Sequence, residues 1–274
     1  MWPKNVSASH LTAFIFVTLL ISWGAAGLIY KNPALVGIAG ITYAIPTAVA
    51  IALNILYHKD ISNIYQPAFT GTTRRSIAFA VLYPAVFVIL LAVVALASGK
   101  ASVNSGNLPA APELVAAILF TLVLMVIAFG EEYGWRGFLL PALATRCGRL
   151  QAAAIVGLIW VAYHLPAVYL ANQGSENLWL PCLIAGASTF VMAFPLAYCY
   201  FQTKGSIAAV IVFRAVWDAA HSLVLGTAGS EKRALLTGNY NLYGPIPLDL
   251  ALGAAAAVVF ACLLAKNGTS KEEA

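Results

Sequence analysis

Ten Asp and Glu residues and four histidines are spread over this chain of 274 residues. Several of them sit inside apolar runs, where an ionisable group is expensive and marks a site by default. The segment GEEYGWRGFLLP carries Glu131, Glu132 and Arg136, WVAYH ends in His164, and FRAVWDAAH carries Arg214, Asp218 and His221. Residues three and four apart share one face of a helix. Glu132 and Arg136 are therefore placed to pair, and Arg214, Asp218 and His221 form one stripe. A carboxylate and an imidazole that flank one water can deprotonate it and pass the proton to a leaving amine. A nearby cation can hold the oxyanion of a tetrahedral intermediate. In that reading the set performs hydrolysis. The bland reading of the same residues is an ion cluster that compensates itself, with His164 satisfying a carbonyl freed by Pro166 and Arg214 quenched by Asp218.

The elements that must position these groups follow from composition. Hydrophobic residues make up 61% of the chain and charged ones 9%, and the mean hydropathy is +0.86. An ordinary soluble domain carries about 25% charge, so soluble enzyme, nucleic-acid binder and disordered tail are poor readings. Eight runs are long enough for transmembrane helices: about 11–30, 34–57, 76–98, a fourth starting near Glu113, then about 151–171, 178–201, 206–226 and 246–265. The apolar runs are continuous rather than alternating, so the fold class is all-α and polytopic. One membrane-embedded domain, 1–274, is expected, with the polar helices concentrated in the second half of the chain.

Counting Lys and Arg places nine on the side of Lys4, Arg74, Arg75, Arg146 and Arg149, and four on the other. Both termini are expected in the cytoplasm, in a bacterial or archaeal plasma membrane. The loop from His58 to Arg75 reads as a topogenic loop. Cys147, Cys182, Cys199 and Cys262 lack CxxC spacing and read as small buried hydrophobes. His10 and His58 read as surface residues. Trp2, Trp179 and Tyr243 read as interface anchors, and Glu113 and Asp249 as helix N-terminal charges. His164 and Asp218 lie 13 and 12 residues into their helices, about 20 Å deep in each case. Glu131 reaches that region only if its helix continues towards Pro141, and Gly130, Gly134 and Gly137 would allow a kink or close packing there.

EEYGWR resembles the EExxxR pattern of the CPBP family, the CAAX-protease and bacteriocin-processing (Abi-type) membrane proteins. WVAYH resembles that family's second motif, an aromatic residue, three others and His. RAVWD occupies the place of its third, HxxxN or HxxxD. The resemblance runs from about Ala128 to His221, in a core expected at about 113–226. It implies an intramembrane peptidase that cuts a membrane-associated, prenylated or amphipathic peptide near the membrane face. By the family pattern Glu131 and His164 activate the water, Glu132 and Arg136 support the helix, and the third-motif pair, here Arg214 and Asp218, polarises the scissile carbonyl.

The third motif departs from the pattern, because Arg214 stands where the family has His. A guanidinium has no lone pair for a metal, although it can still donate to an oxyanion. His221, on the same stripe, is a candidate to replace the missing imidazole. If zinc were present, Glu131 and His164 would be its ligands, with Asp218 or His221 as the third candidate, but a metal-independent mechanism is the preferred expectation. The partners implied are the lipid bilayer and a peptide or lipidated protein substrate, with no nucleic acid. Two other classes compete: a catalytically silent binding or bacteriocin-immunity protein, and a proton-coupled transporter.

Overall fold

The computed structural model describes residues 6–58, 71–108, 111–174, 176–203, 205–226, 234–238, 241–243 and 246–266. The elements run α1 (Ala8–Lys31), a 3₁₀ stretch (Pro33–Ala44), α2 (Ile45–His58) and α3 (Arg74–Ala97). Then come α4 (Ala111–Glu132), a π-helical stretch (Tyr133–Leu139) and α5 (Leu140–Cys147), which together make one continuous rod. Three long helices and a shorter one complete the bundle: α6 (Arg149–Ala171), α7 (Trp179–Gln202), α8 (Ala208–Val224) and α9 (Leu248–Lys266). The strands are short: β1 (Ala101–Val103) pairs antiparallel with β2 (Leu236–Gly238), and β3 (Asn241–Tyr243) with β4 (Ile246–Pro247).

Among the described residues, seven helical stretches are long and apolar enough to cross a membrane. The expected seventh span, 206–226, is the exception: its helix α8 has 17 residues, short of the roughly 20 a span needs. It is also the helix that carries Arg214, Asp218 and His221. Rather than facing lipid, it packs between α3 and α4. The outer faces of the other helices show large apolar side chains, among them Phe16, Leu28, Val126 and Trp179. The protein is an all-α polytopic membrane protein.

Local chemistry explains the ends and breaks. Ser7 and His10 form a capping box at α1, and Thr73 and Ser76 form one at α3. His10 is therefore no surface residue: it is buried, because its Nδ1 is needed to accept the backbone N–H of Ser7. The side chain of His58, residues 59–70, Trp2 and the side chain of Tyr243 lie outside the description, and so do the readings made for them. Trp179 is exposed at the start of α7. Glu113 and Asp249 lie in the first turns of α4 and α9. All four cysteines are free thiols. Cys182 and Cys199 are buried, whereas Cys262 is exposed on α9, contrary to the buried reading. An outward Cys in an apolar helix meets hydrocarbon at little cost, so hydropathy alone does not tell its direction.

The expected span 34–57 is split. Pro46 has no N–H for the carbonyl of Thr42, and the chain up to Ala44 winds as 3₁₀ helix instead. The Thr42 carbonyl accepts from Ile45 N and from the Tyr163 hydroxyl at 2.6 Å. A second proline, Pro166, lies inside α6 without interrupting it. The carbonyl it frees, that of Ala162, accepts from Trp23 Nε1 at 3.0 Å, and the Ser22 hydroxyl bonds the Tyr163 carbonyl at 3.3 Å. Helix α1 thus clamps α6 at its proline.

Candidate active site

The polar centre is built on three elements. The α4 rod is largely exposed over its first turns, yet every residue from Gly130 to Ala142 is buried. It enters the bundle where the wider π turn begins, a feature that recurs at functional sites. Two glycines make the entry possible. A Cβ on Gly130 would stand 2.8 Å from the Tyr43 carbonyl oxygen, and one on Gly134 would stand 2.6 Å from Pro46. Gly137, by contrast, only brushes Ile207 at 3.5 Å. The close-packing expectation holds for the first two glycines, and the rod does continue past Glu131 to Pro141 and beyond.

Glu131 and Glu132 sit at the last turn of α4, nearly or fully enclosed. Arg136, also fully enclosed, places Nη1 at 2.9 and 3.0 Å from the two carboxylate oxygens of Glu132. This is the pairing the spacing predicts. From α6, Trp160 Nε1 donates to Glu131 Oε2 at 2.6 Å. His164, four residues on, presents Nε2 at 3.7 Å from Glu131 Oε1. Its Nδ1 lies 3.1 Å from the Trp160 carbonyl oxygen. A carbonyl only accepts, so this contact assigns the ring proton to Nδ1 and leaves Nε2 as the acceptor facing Glu131.

From α8, Arg214 Nε donates to Asp218 Oδ2 at 2.9 Å, and Nη1 lies 4.0 Å from Glu132 Oε1. Nη1 is buried and, among the described residues, has no hydrogen-bond partner. Both guanidinium groups lie over the Trp160 ring, Arg136 at 4.4 Å and Arg214 at 4.9 Å from its centre. The helices therefore bring together Glu131, Glu132, Arg136, His164, Arg214 and Asp218. One side is open: the His164 side chain is 22% exposed and that of Glu131 only 3%.

His221 does not join them. Its ring stacks on Trp217 and faces Phe87 of α3, and its Nδ1 bonds the Trp217 carbonyl at 3.0 Å. The stripe is right but the reach is wrong, because seven residues along a helix is about 10 Å. Trp160 is the residue the motif reading underused. The spacing of WVAYH already puts it on the His164 face, but not within reach of a carboxylate from another helix.

A catalytic zinc needs three protein ligands and an open position. Glu131 and His164 would supply two. Arg214, at the third-motif position, has no lone pair to give, and among the described residues no three His, Cys, Asp or Glu side chains are grouped to hold a metal. The donors present do not make a three-ligand zinc site.

Beside the site, on the same face of α6, lies a cavity of about 420 Å³ between α1, the 3₁₀ stretch and the end of α6. Ala26, Ile29, Val36, Ala167 and Leu170 line it, and Ser22 and Thr42 close it towards Tyr163.

Apolar helices enclosing a buried carboxylate, imidazole and two guanidinium groups define an integral membrane protein with a charged centre inside its helices. A family model described as type II CAAX prenyl endopeptidase Rce1-like matches residues 113–220. A curated protein of Methanococcus maripaludis named CAAX prenyl protease 2 is 27% identical over 99 residues, 34% of this chain. That match spans only 36% of the relative's length. The segment with the three motifs is thus similar to CAAX-type membrane proteases.

Proposed function

We propose that the chain is an intramembrane endopeptidase that hydrolyses a peptide bond with a water activated by Glu131 and His164. The observation that carries this reading is the 3.7 Å approach of His164 Nε2 to Glu131 Oε1. The gap is too long for a direct hydrogen bond. A water about 2.8 Å from both atoms would sit about 2 Å to one side of the line between them. Oε2 is held by Trp160 and Nδ1 by a carbonyl, so both free atoms point at the same place.

The chemistry follows from these directions. Water gives a proton to Glu131 Oε1 while its second hydrogen is held by His164 Nε2, and its oxygen attacks the scissile carbonyl carbon. The oxyanion that forms takes a hydrogen bond from Arg214 Nη1, the donor left over from the Asp218 pair. Glu131 then delivers the proton to the amide nitrogen, the C–N bond breaks, and a carboxylic acid and an amine leave. Asp218 orients Arg214, and Glu132 with Arg136 holds the rod in place. The apolar cavity on the His164 face suits the apolar part of a prenylated or amphipathic peptide. Entry from the cytoplasmic face agrees with the excess of Lys and Arg in the loops on the side of Lys4, Arg74 and Arg146.

The 2.9 Å Arg214–Asp218 pair favours a second reading, a silent binding or immunity protein in which the cation is already neutralised. One experiment separates the two. The full chain is reconstituted in proteoliposomes with an S-farnesylated peptide that ends three residues past its cysteine. Cleavage is expected, with a loss of about 10²-fold or more in Glu131→Gln and in His164→Ala at unchanged helix content. Peptide binding without cleavage by the wild type would overturn the peptidase reading in favour of the second.

A further inference from the structure

One residue, through its indole and its main-chain carbonyl, contacts Glu131, Arg136, His164 and Arg214. Trp160 donates to Glu131 Oε2 at 2.6 Å, its carbonyl holds His164 Nδ1 at 3.1 Å, and its ring lies under both guanidinium groups, at 4.4 and 4.9 Å. The indole is itself almost fully buried, at 2% exposure. In such a dry place a carboxylate and a cation attract strongly, and nothing in their charges keeps them apart. Free to rotate, Glu131 would swing onto a guanidinium and turn Oε1 away from His164.

We propose that Trp160 is a positioning residue whose indole N–H holds Glu131 turned towards His164 and whose ring keeps the carboxylate off Arg136 and Arg214. The two jobs need different parts of one side chain. The N–H edge takes the anion in the ring plane, while the π face takes the cations. A phenyl ring offers only the face, so Phe at this position would keep the cations and lose the donor. The proposal rests on the peptidase reading for its consequence in turnover.

The test replaces Trp160 in two ways. Trp160→Phe removes the donor and part of the ring. Incorporation of benzothienylalanine, with sulfur in place of N–H, keeps both rings and guards against a merely unfolded variant. With the farnesylated peptide, both are expected to lower kcat about ten- to a hundredfold, the range of one hydrogen bond to a charged group, with KM within about twofold. The indole N–H resonance of Trp160, assigned by its loss in Trp160→Phe, is expected far downfield and should move in Glu131→Gln. An analogue-bearing protein that turns over like the wild type, or an indole signal indifferent to Glu131→Gln, overturns the proposal. Failure of the reading beneath it looks different: the wild type does not cleave, or Glu131→Gln cleaves as fast.

Discussion

Gly134 lies directly on Pro46: a Cβ at the glycine would stand 2.6 Å from the proline's carbonyl carbon, its oxygen and its own Cβ. The neighbour is mostly backbone, so neither side can yield. Gly134→Ala should therefore cost at least about 1–3 kcal/mol by overpacking, whereas Gly137→Ala, with its nearest contact at 3.5 Å from a flexible Ile207 methyl, should be close to neutral. Thermal unfolding of the two variants in one detergent checks the contrast. Equal melting temperatures would mean that the rod does not enter the bundle at this point.

Glu132 and Arg136 are both wholly enclosed. Arg136→Met leaves a buried carboxylate without its main partner and should cost about 3–5 kcal/mol, while the double variant Glu132→Leu/Arg136→Met should regain most of it. Denaturant titration of the singles and the double measures the coupling. Additive losses would show that the two charges do not share one environment.

Arg214→Gln should lower kcat about 10²–10³-fold, the usual effect of losing an oxyanion donor, with little loss of stability because Asp218 is 38% exposed and can meet water. Turnover should also survive extensive treatment with a strong chelator, since the donors around Glu131 and His164 do not complete a zinc set. Activity lost to the chelator and restored by zinc would instead make the pair a metal site.

The cavity along α6 gives a specificity test. Ala167→Phe projects a ring into the space of about 420 Å³. KM for the farnesylated peptide should rise about tenfold or more, the scale of pocket discrimination, with kcat close to unchanged. Steady-state kinetics separate this from a change at the catalytic pair, which would lower kcat.

The two prolines give a structural test. Tyr163→Phe removes the hydroxyl that serves the Thr42 carbonyl, and Trp23→Phe removes the N–H that serves the Ala162 carbonyl. Each should cost about 1 kcal/mol, and hydrogen exchange should quicken around the affected kink. Unchanged exchange would mean that water already serves those carbonyls.

The amino-acid order alone determined the helical, membrane-embedded class, because continuous apolar runs leave the backbone no other way to satisfy its polar groups in lipid. It also determined the local pairs, Glu132 with Arg136 and Arg214 with Asp218, because helical periodicity is a property of the chain itself. Tertiary structure decided the rest. That Glu131 meets His164 rather than lipid, that His221 turns to α3 and that α8 is an inner helix all depend on which helix lies beside which. So does the central place of Trp160, whose partners come from helices far apart in sequence. Periodicity tells which residues of one helix look the same way. It carries no information about what stands opposite, because that is set by close packing between helices, here by two glycines with no side chain to keep a neighbour away.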